Sequence, residues 1–179
     1  MVEFYNLEIC GLKRKLPIIE VAPGLSIASF VILGDTELVT TVAPEIVKRL
    51  PEVDAIISAE AKGIPLVHEI SRLLGMNYIV ARKSIKPYME SPIVDEVESI
   101  TTQKKQVLVL NGKDAEKIKG KRVALIDDVV STGSSLEALE RLVKKAGGNV
   151  VAKAAILAEG QAAKRKDLIF LGELPLFEY

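Results

Sequence analysis

The sequence predicts an α/β fold, with a parallel sheet core flanked by helices, a small N-terminal antiparallel hood and a mobile β-hairpin lid. Three observations carry this expectation. From residue 53 onward, short β-branched runs alternate with helical patterns. Runs that are apolar throughout fit strands buried on both faces of a parallel sheet. Residues 1–33 instead hold loosely alternating runs parted by turn signals. Residues 84–106, SIKPYMESPIVDEVESITTQKKQ, are polar and contain Pro87 and Pro92, and such a stretch between two strands fits a mobile hairpin.

The elements follow in order. Val2, Phe4, Leu7 and Ile9, then LPIIEVA, then LSIASFVIL are separated by GLKRK and APG, which predicts antiparallel strands. GDTELVTTVAPEIVKRL has helical spacing, with Asp35 or Thr36 as N-cap and Pro44 expected to kink or split it. VDAIIS (53–58) reads as a strand, IPLVHEISRLLG (64–75) as a helix stopped by Gly75, and NYIVA (77–81) as a strand. VLVL (107–110) returns as a strand, and KDAEKIKGK (113–121) reads as a solvated turn. KRVALID (121–127) is a strand, SSLEALERLVKKAGG (134–148) an amphipathic helix with a glycine stop, and VVAKAAILA (150–158) and DLIFL (167–171) are further strands. Right-handed crossovers would put the ligand loops at the carboxyl edge of this sheet.

The 179 residues suffice for one domain spanning 1–179, with residues 1–33 as hood and 84–106 as lid. Basic and acidic residues number 24 each, which argues against bulk attraction to nucleic acid or to an anionic membrane. Cys10 is the single cysteine, so neither an intrachain disulfide nor a cysteine metal site is expected, and it reads as a small apolar filler. The lone histidine, His68, reads as structural or surface. The opening MVEFYNLEIC has no signal-peptide pattern, and no run reaches membrane-spanning length, so the expectation is a cytoplasmic protein.

The chemistry concentrates in VALIDDVVSTGSS (123–135). With VALID on a strand and SSLEALERL on a helix, VSTGSS is a strand-to-helix loop. Backbone N–H groups and a helix dipole worth about half a positive charge then face an anion. Gly133 permits close approach, and Ser131, Thr132, Ser134 and Ser135 supply hydroxyls. Asp127 and Asp128 would repel a phosphate placed on them, but they suit sugar hydroxyls or a hard cation. A phosphate at one end and a diol at the other describe a ribose 5-phosphate.

This stretch closely resembles the phosphoribosyl pyrophosphate (PRPP) motif of type I phosphoribosyltransferases: an apolar run, two acids, two apolar residues, then [ST]-T-G-x-[ST]. The resemblance makes Asp127 and Asp128 the catalytic acids that hold the ribose hydroxyls. Ser131, Thr132, Gly133, Ser134 and Ser135 would hold the 5′-phosphate. SAEAKGIPL (58–66) resembles the E-A-[RK]-G-x-x-L loop of the adenine branch, which implies that Ala61, Lys62 and Gly63 receive pyrophosphate. YIVARKSIKP (78–87) resembles V-R-K-x-x-K-x-P, which would add Arg82, Lys83 and Lys86 to the pyrophosphate site. By the same resemblance the hairpin is a lid that excludes water, Mg²⁺ is the cofactor, held mainly through PRPP with no protein ligand assigned, PRPP and a purine base are the substrates, and a homodimer is expected. Adenine is the first expectation for the base, ahead of hypoxanthine or guanine. The chain departs from the adenine pattern at Ile100–Gln103, where ITTQ replaces the E-Y-G whose acid serves purine N7; Glu98 lies near but out of register. The alternative is a PRPP- or nucleotide-sensing protein of weak or no turnover.

Overall fold

The computed structural model describes residues 3–97 and 106–179. Strands β1 (Phe4–Ile9), β2 (Leu12–Ala22) and β3 (Leu25–Ala28) form an antiparallel meander. Cys10 sits exposed in the β1–β2 turn with φ 48°, so it is a turn residue and not a core filler. Helix α1 (Thr36–Val47) is capped by Asp35, whose carboxylate accepts the Leu38 N–H at 3.1 Å. Pro44 does not split it into two. It stands one turn from the end, where only a single intrahelical bond is forfeited, and the Lys48 N–H still reaches the Pro44 carbonyl at 3.1 Å.

The alternating region follows as β4 (Ala55–Ala59), α2 (Ile64–Leu74) and β5 (Tyr78–Ala81), with Gly75 closing α2 in the left-handed conformation. Strands β6 (Ile93–Val97) and β7 (Gln106–Leu110) pair as an antiparallel hairpin. Residues 113–118, read from sequence as a turn, belong to helix α3 (Gly112–Ile118), because Ala115 and Ile118 bury one face of it. Strand β8 (Arg122–Val130), helix α4 (Ser134–Lys145) and strand β9 (Asn149–Glu159) come next. After a 3-10 turn over Gly160–Lys164, strands β10 (Gly172–Leu174) and β11 (Leu176–Glu178) end the chain. DLIFL is not a regular strand. It runs beside β9 with a single bridge, Ile169 to Ala154, and the regular ladder starts only at Gly172.

The central sheet has the order β10-β9-β8-β4-β5, and every pair in it is parallel. Strand β11 returns to complete the hood sheet, β1-β2-β3-β11. Alternation along β8 explains the two layers. Ala124 and Ile126 pack into one apolar cluster with α1 and α2, while Val123 and Leu125 pack into the other with α3 and α4.

The hairpin is fastened to α4 by a buried carboxylate. Asp95 on β6 is 3% exposed. It accepts hydrogen bonds from Arg141 Nε at 3.0 Å and Lys145 Nζ at 2.7 Å, and Lys145 also donates to the Val94 carbonyl at 3.0 Å. Burial alone would raise the Asp95 pKa, but these bonds outweigh it and hold the carboxyl below its ordinary value. Asp95→Asn should therefore cost about 1–3 kcal/mol in urea unfolding at neutral pH. The depressed pKa fixes the sign: the wild-type advantage is complete above about pH 4 and is lost as pH falls through the folded value. Equal stabilities at pH 7 would show that the cluster is idle.

Candidate active site

Strand β8 runs on through Asp127 and Asp128 to Val130, so the two acids belong to its carboxyl end and not to the loop after it. The Asp128 N–H donates to Asp127 Oδ1 at 2.9 Å. Asp128 is 5% exposed, and its Oδ2 has no hydrogen-bond partner among the described residues. The nearest cation is Lys62, whose Nζ stands 3.8 Å away on a largely exposed side chain. Asp127 opens onto the cleft but is crowded by protein on its other sides. Burial, and then the charge of Asp128, push its carboxyl well above the ordinary range. In the ligand-free protein this pair is under-satisfied, and an uncharged or cationic donor from outside would relieve it.

Ser131 and Thr132 turn the chain, Gly133 takes φ 87° as N-cap, and α4 begins at Ser134. Thr132 Oγ1 and Ser134 Oγ stand 3.1 Å apart. These residues, with Ser135 and Asp127, surround a concave cradle at the helix N-terminus. Next to it lies a cleft walled by Ala61, Lys62, Lys83, Asp127, Asp128 and Ser135.

The second wall follows β4. A Cβ on Gly63 would stand 2.2 Å from Ser58 Oγ and 3.6 Å from Asp127 Oδ1, so only glycine lets this loop lie against the acids. The Glu60–Ala61 peptide is cis. Glu60 ties the loop to the end of β5, accepting from Arg82 Nε at 2.8 Å and from the Lys83 N–H. Arg82 Nη1 in turn donates to Tyr88 Oη at 2.7 Å. Arg82 is thus held by Glu60 and Tyr88, and Lys86 donates to Ser84 Oγ at 2.6 Å. Neither lines the cleft, whereas Lys62 and Lys83 do.

The fold therefore gathers Asp127, Asp128, Ser131–Ser135, Ala61, Lys62, Gly63 and Lys83 at one sheet edge. It sets Arg82 and Lys86 at the margin. Sequence reasoning missed Glu60, which lay inside the quoted loop, and Val107 and Leu108, which close the cleft from β7. His68 is exposed on α2, edge-on to Tyr78 at 5.6 Å. Glu98 and the ITTQ stretch at 100–103 lie outside the described residues.

The family model for the phosphoribosyl transferase domain matches residues 37–171, well over half of the chain and all of this edge. The chain belongs to this family. Among curated relatives of this phosphoribosyltransferase chain is a hypoxanthine/guanine phosphoribosyltransferase of Methanococcus vannielii, 35% identical over 133 residues, covering 72% of this chain and 66% of the relative. A protein of the same description from Methanococcus voltae is 34% identical over 140 residues, covering 78% and 71%. The chain thus spans about two thirds of the length of these relatives. Among solved structures, the adenine phosphoribosyltransferase of Thermoanaerobacter pseudethanolicus superposes with TM-score 0.69 at 21% identity, over 95% of each chain. The enzyme of Giardia lamblia complexed with 9-deazaadenine gives 0.67 at 17%, over 95% and 93%. The architecture is that of the type I phosphoribosyltransferase fold. No described helix is long and apolar enough to cross a membrane.

Proposed function

We propose that the protein is a purine phosphoribosyltransferase, moving ribose 5-phosphate from PRPP to a base nitrogen and releasing pyrophosphate. One observation carries this reading: a buried carboxylate oxygen on Asp128, without a hydrogen bond among the described residues, stands between an anion cradle and a loop bearing Lys62. Asp127 and Asp128 accept the ribose hydroxyls, which satisfies the orphan oxygen and fixes the sugar ring. The N–H groups and hydroxyls of Ser131, Thr132, Gly133, Ser134 and Ser135 hold the 5′-phosphate. Ala61, Lys62, Gly63 and Lys83 receive the departing diphosphate. Arg82 and Lys86 join them only by leaving Glu60 and Ser84. Positive charge grows at C1′ as the diphosphate departs, and the paired acids below the ring stabilise it. Fixed dipoles and orientation supply the rate, with no covalent intermediate on the protein.

The donor set also fits Mg²⁺, since a carboxylate oxygen that accepts no hydrogen bond among the described residues, beside an open cleft, suits a hydrated hard cation. Mg²⁺ bound with the diphosphate would neutralise the leaving group.

For the base, the E-A-K-G loop and the R-K-x-x-K strand favour adenine. Relatives at about one-third identity are described as hypoxanthine/guanine enzymes, and the lid acid of the adenine branch has no counterpart at Ile100–Gln103. These weigh more, so a 6-oxopurine ranks ahead of adenine. Product formation from PRPP with hypoxanthine, guanine, adenine, xanthine and uracil at saturating Mg²⁺ tests this. A 6-oxopurine should give the highest kcat/KM. Adenine in first place would reverse the order, uracil would overturn the purine reading, and tight PRPP binding without any product would favour the sensor.

A further inference from the structure

The cleft beside the cradle holds an acid besides Asp127 and Asp128. Glu60 lines it, and a free carboxylate there would repel any anion brought to Lys62 and Lys83. Glu60 is not free. Its N–H donates to the Ala81 carbonyl at 3.0 Å, its Oε2 accepts from Arg82 Nε at 2.8 Å, and its Oε1 accepts from the Lys83 N–H. This one residue is therefore bonded to Ala81, Arg82 and Lys83 in succession at the end of β5. Burial alone would raise the Glu60 pKa, but the Lys83 N–H and Arg82 outweigh it and hold the carboxyl below its ordinary value. Arg82 is fixed from further sides. Its backbone exchanges hydrogen bonds with Val109 of β7 at 2.8 and 2.7 Å, and its Nη1 donates to Tyr88 Oη at 2.7 Å. Consecutive side chains of an extended chain diverge, and of this pair only Lys83 borders the cleft.

We propose that Glu60 and Arg82 are a positioning couple for the diphosphate: Arg82 stays on Glu60 when the anion binds, and of the neighbours Arg82 and Lys83 only Lys83 meets it. The proposal rests on the cleft's being the diphosphate site. Arg82 cancels the carboxylate charge that would repel the ligand. Glu60 fixes the root of Lys83 through its N–H, and it fixes Ala61, Lys62 and Gly63 because they follow it directly in the chain. The two walls of the cleft are thereby held at one spacing before the ligand arrives, which spares ordering cost on binding. An arginine suits this task, since its planar fork spans Glu60 and Tyr88 at once.

The test is calorimetric titration with inorganic pyrophosphate and Mg²⁺, and separately with ribose 5-phosphate. It compares wild type, Glu60→Gln, Arg82→Gln, the variant carrying both changes, and Lys83→Gln, with thermal melting to verify folding. Lys83→Gln should weaken pyrophosphate by roughly tenfold, the loss of about one charge-assisted contact. Glu60→Gln and Arg82→Gln should each weaken it by roughly three- to tenfold, the double variant should be no weaker than the worse single one, and ribose 5-phosphate should be unmoved. The sign of the Glu60→Gln effect decides. Were Arg82 a ligand held back by Glu60, releasing it would tighten pyrophosphate, so tighter or unchanged binding overturns the proposal. Losses that add in the double variant, or a parallel loss of ribose 5-phosphate, overturn it too. A wild type that ignores pyrophosphate, or a Lys83→Gln that binds it as wild type does, overturns the cleft reading itself. If Glu60→Gln does not fold, a crystal structure of the wild type with Mg²⁺ and pyrophosphate decides. Arg82 Nε should remain on Glu60, and a guanidinium turned onto the diphosphate rejects the assignment.

Discussion

Converting Asp127 and Asp128 together to asparagine should weaken PRPP by roughly 10²–10⁴-fold, since two charge-assisted hydroxyl contacts of about 1.5–3 kcal/mol each are lost. Turnover should fall at least as far, because the growing charge at C1′ loses its counter-charge. Isothermal titration with PRPP and Mg²⁺ reads the first effect, and wild-type affinity in the double variant would remove these acids from the sugar site. The same change should leave the ligand-free fold no weaker. Burial and the neighbouring Asp128 charge raise the Asp127 pKa to about 8. A carboxyl that holds its proton more tightly when folded stabilises fully below the ordinary carboxylate range. That contribution drains away as pH rises through the folded value. The melting temperature of the wild type should therefore decline between pH 5 and pH 8, and Asp127→Asn should flatten the decline. Parallel curves would show that Asp127 is already ionised in the folded state.

The second large effect concerns one methyl group. Gly63→Ala places a Cβ 2.2 Å from the Oγ of Ser58, a residue with no exposed surface. The loop must lift or β4 must shift, and such overpacking costs about 1–3 kcal/mol. For a chain of this size that is a fall of roughly 2–10 °C in melting temperature. Lifting the loop also draws Lys62 away from Asp128, so PRPP affinity should fall with stability. Ser58→Ala removes the clashing oxygen, and in combination with Gly63→Ala it should restore much of both losses. Unchanged melting and affinity in the single variant would mean that the loop does not depend on this contact.

What the sequence reveals here is whatever is local. The acids, the small-residue loop and the helix after them are contiguous, so VALIDDVVSTGSS displays strand, cradle and cap within thirteen residues. The parallel order of β4, β5, β8 and β9 follows from apolar runs separated by helices. What stayed hidden is non-local. Glu60 meets Arg82 across 22 residues and Asp95 meets Arg141 across 46, and no periodicity announces either pair. Helix α3 was obscured because four lysines surround Ala115 and Ile118, the two residues that anchor it. Pro44 looked decisive but stands too near the end of α1 to break anything.

Helix α4 connects two parts of the molecule that could otherwise drift apart. Its first residues border the cradle, and Arg141 and Lys145, two turns or more further along, fasten the base of the hairpin through Asp95. At about 1.5 Å per residue, roughly 10–16 Å of rigid rod separates the two attachments. The cradle end of α4 and the base of the hairpin are thereby bolted into one frame, so a blow to either fastening is carried along the rod to the other.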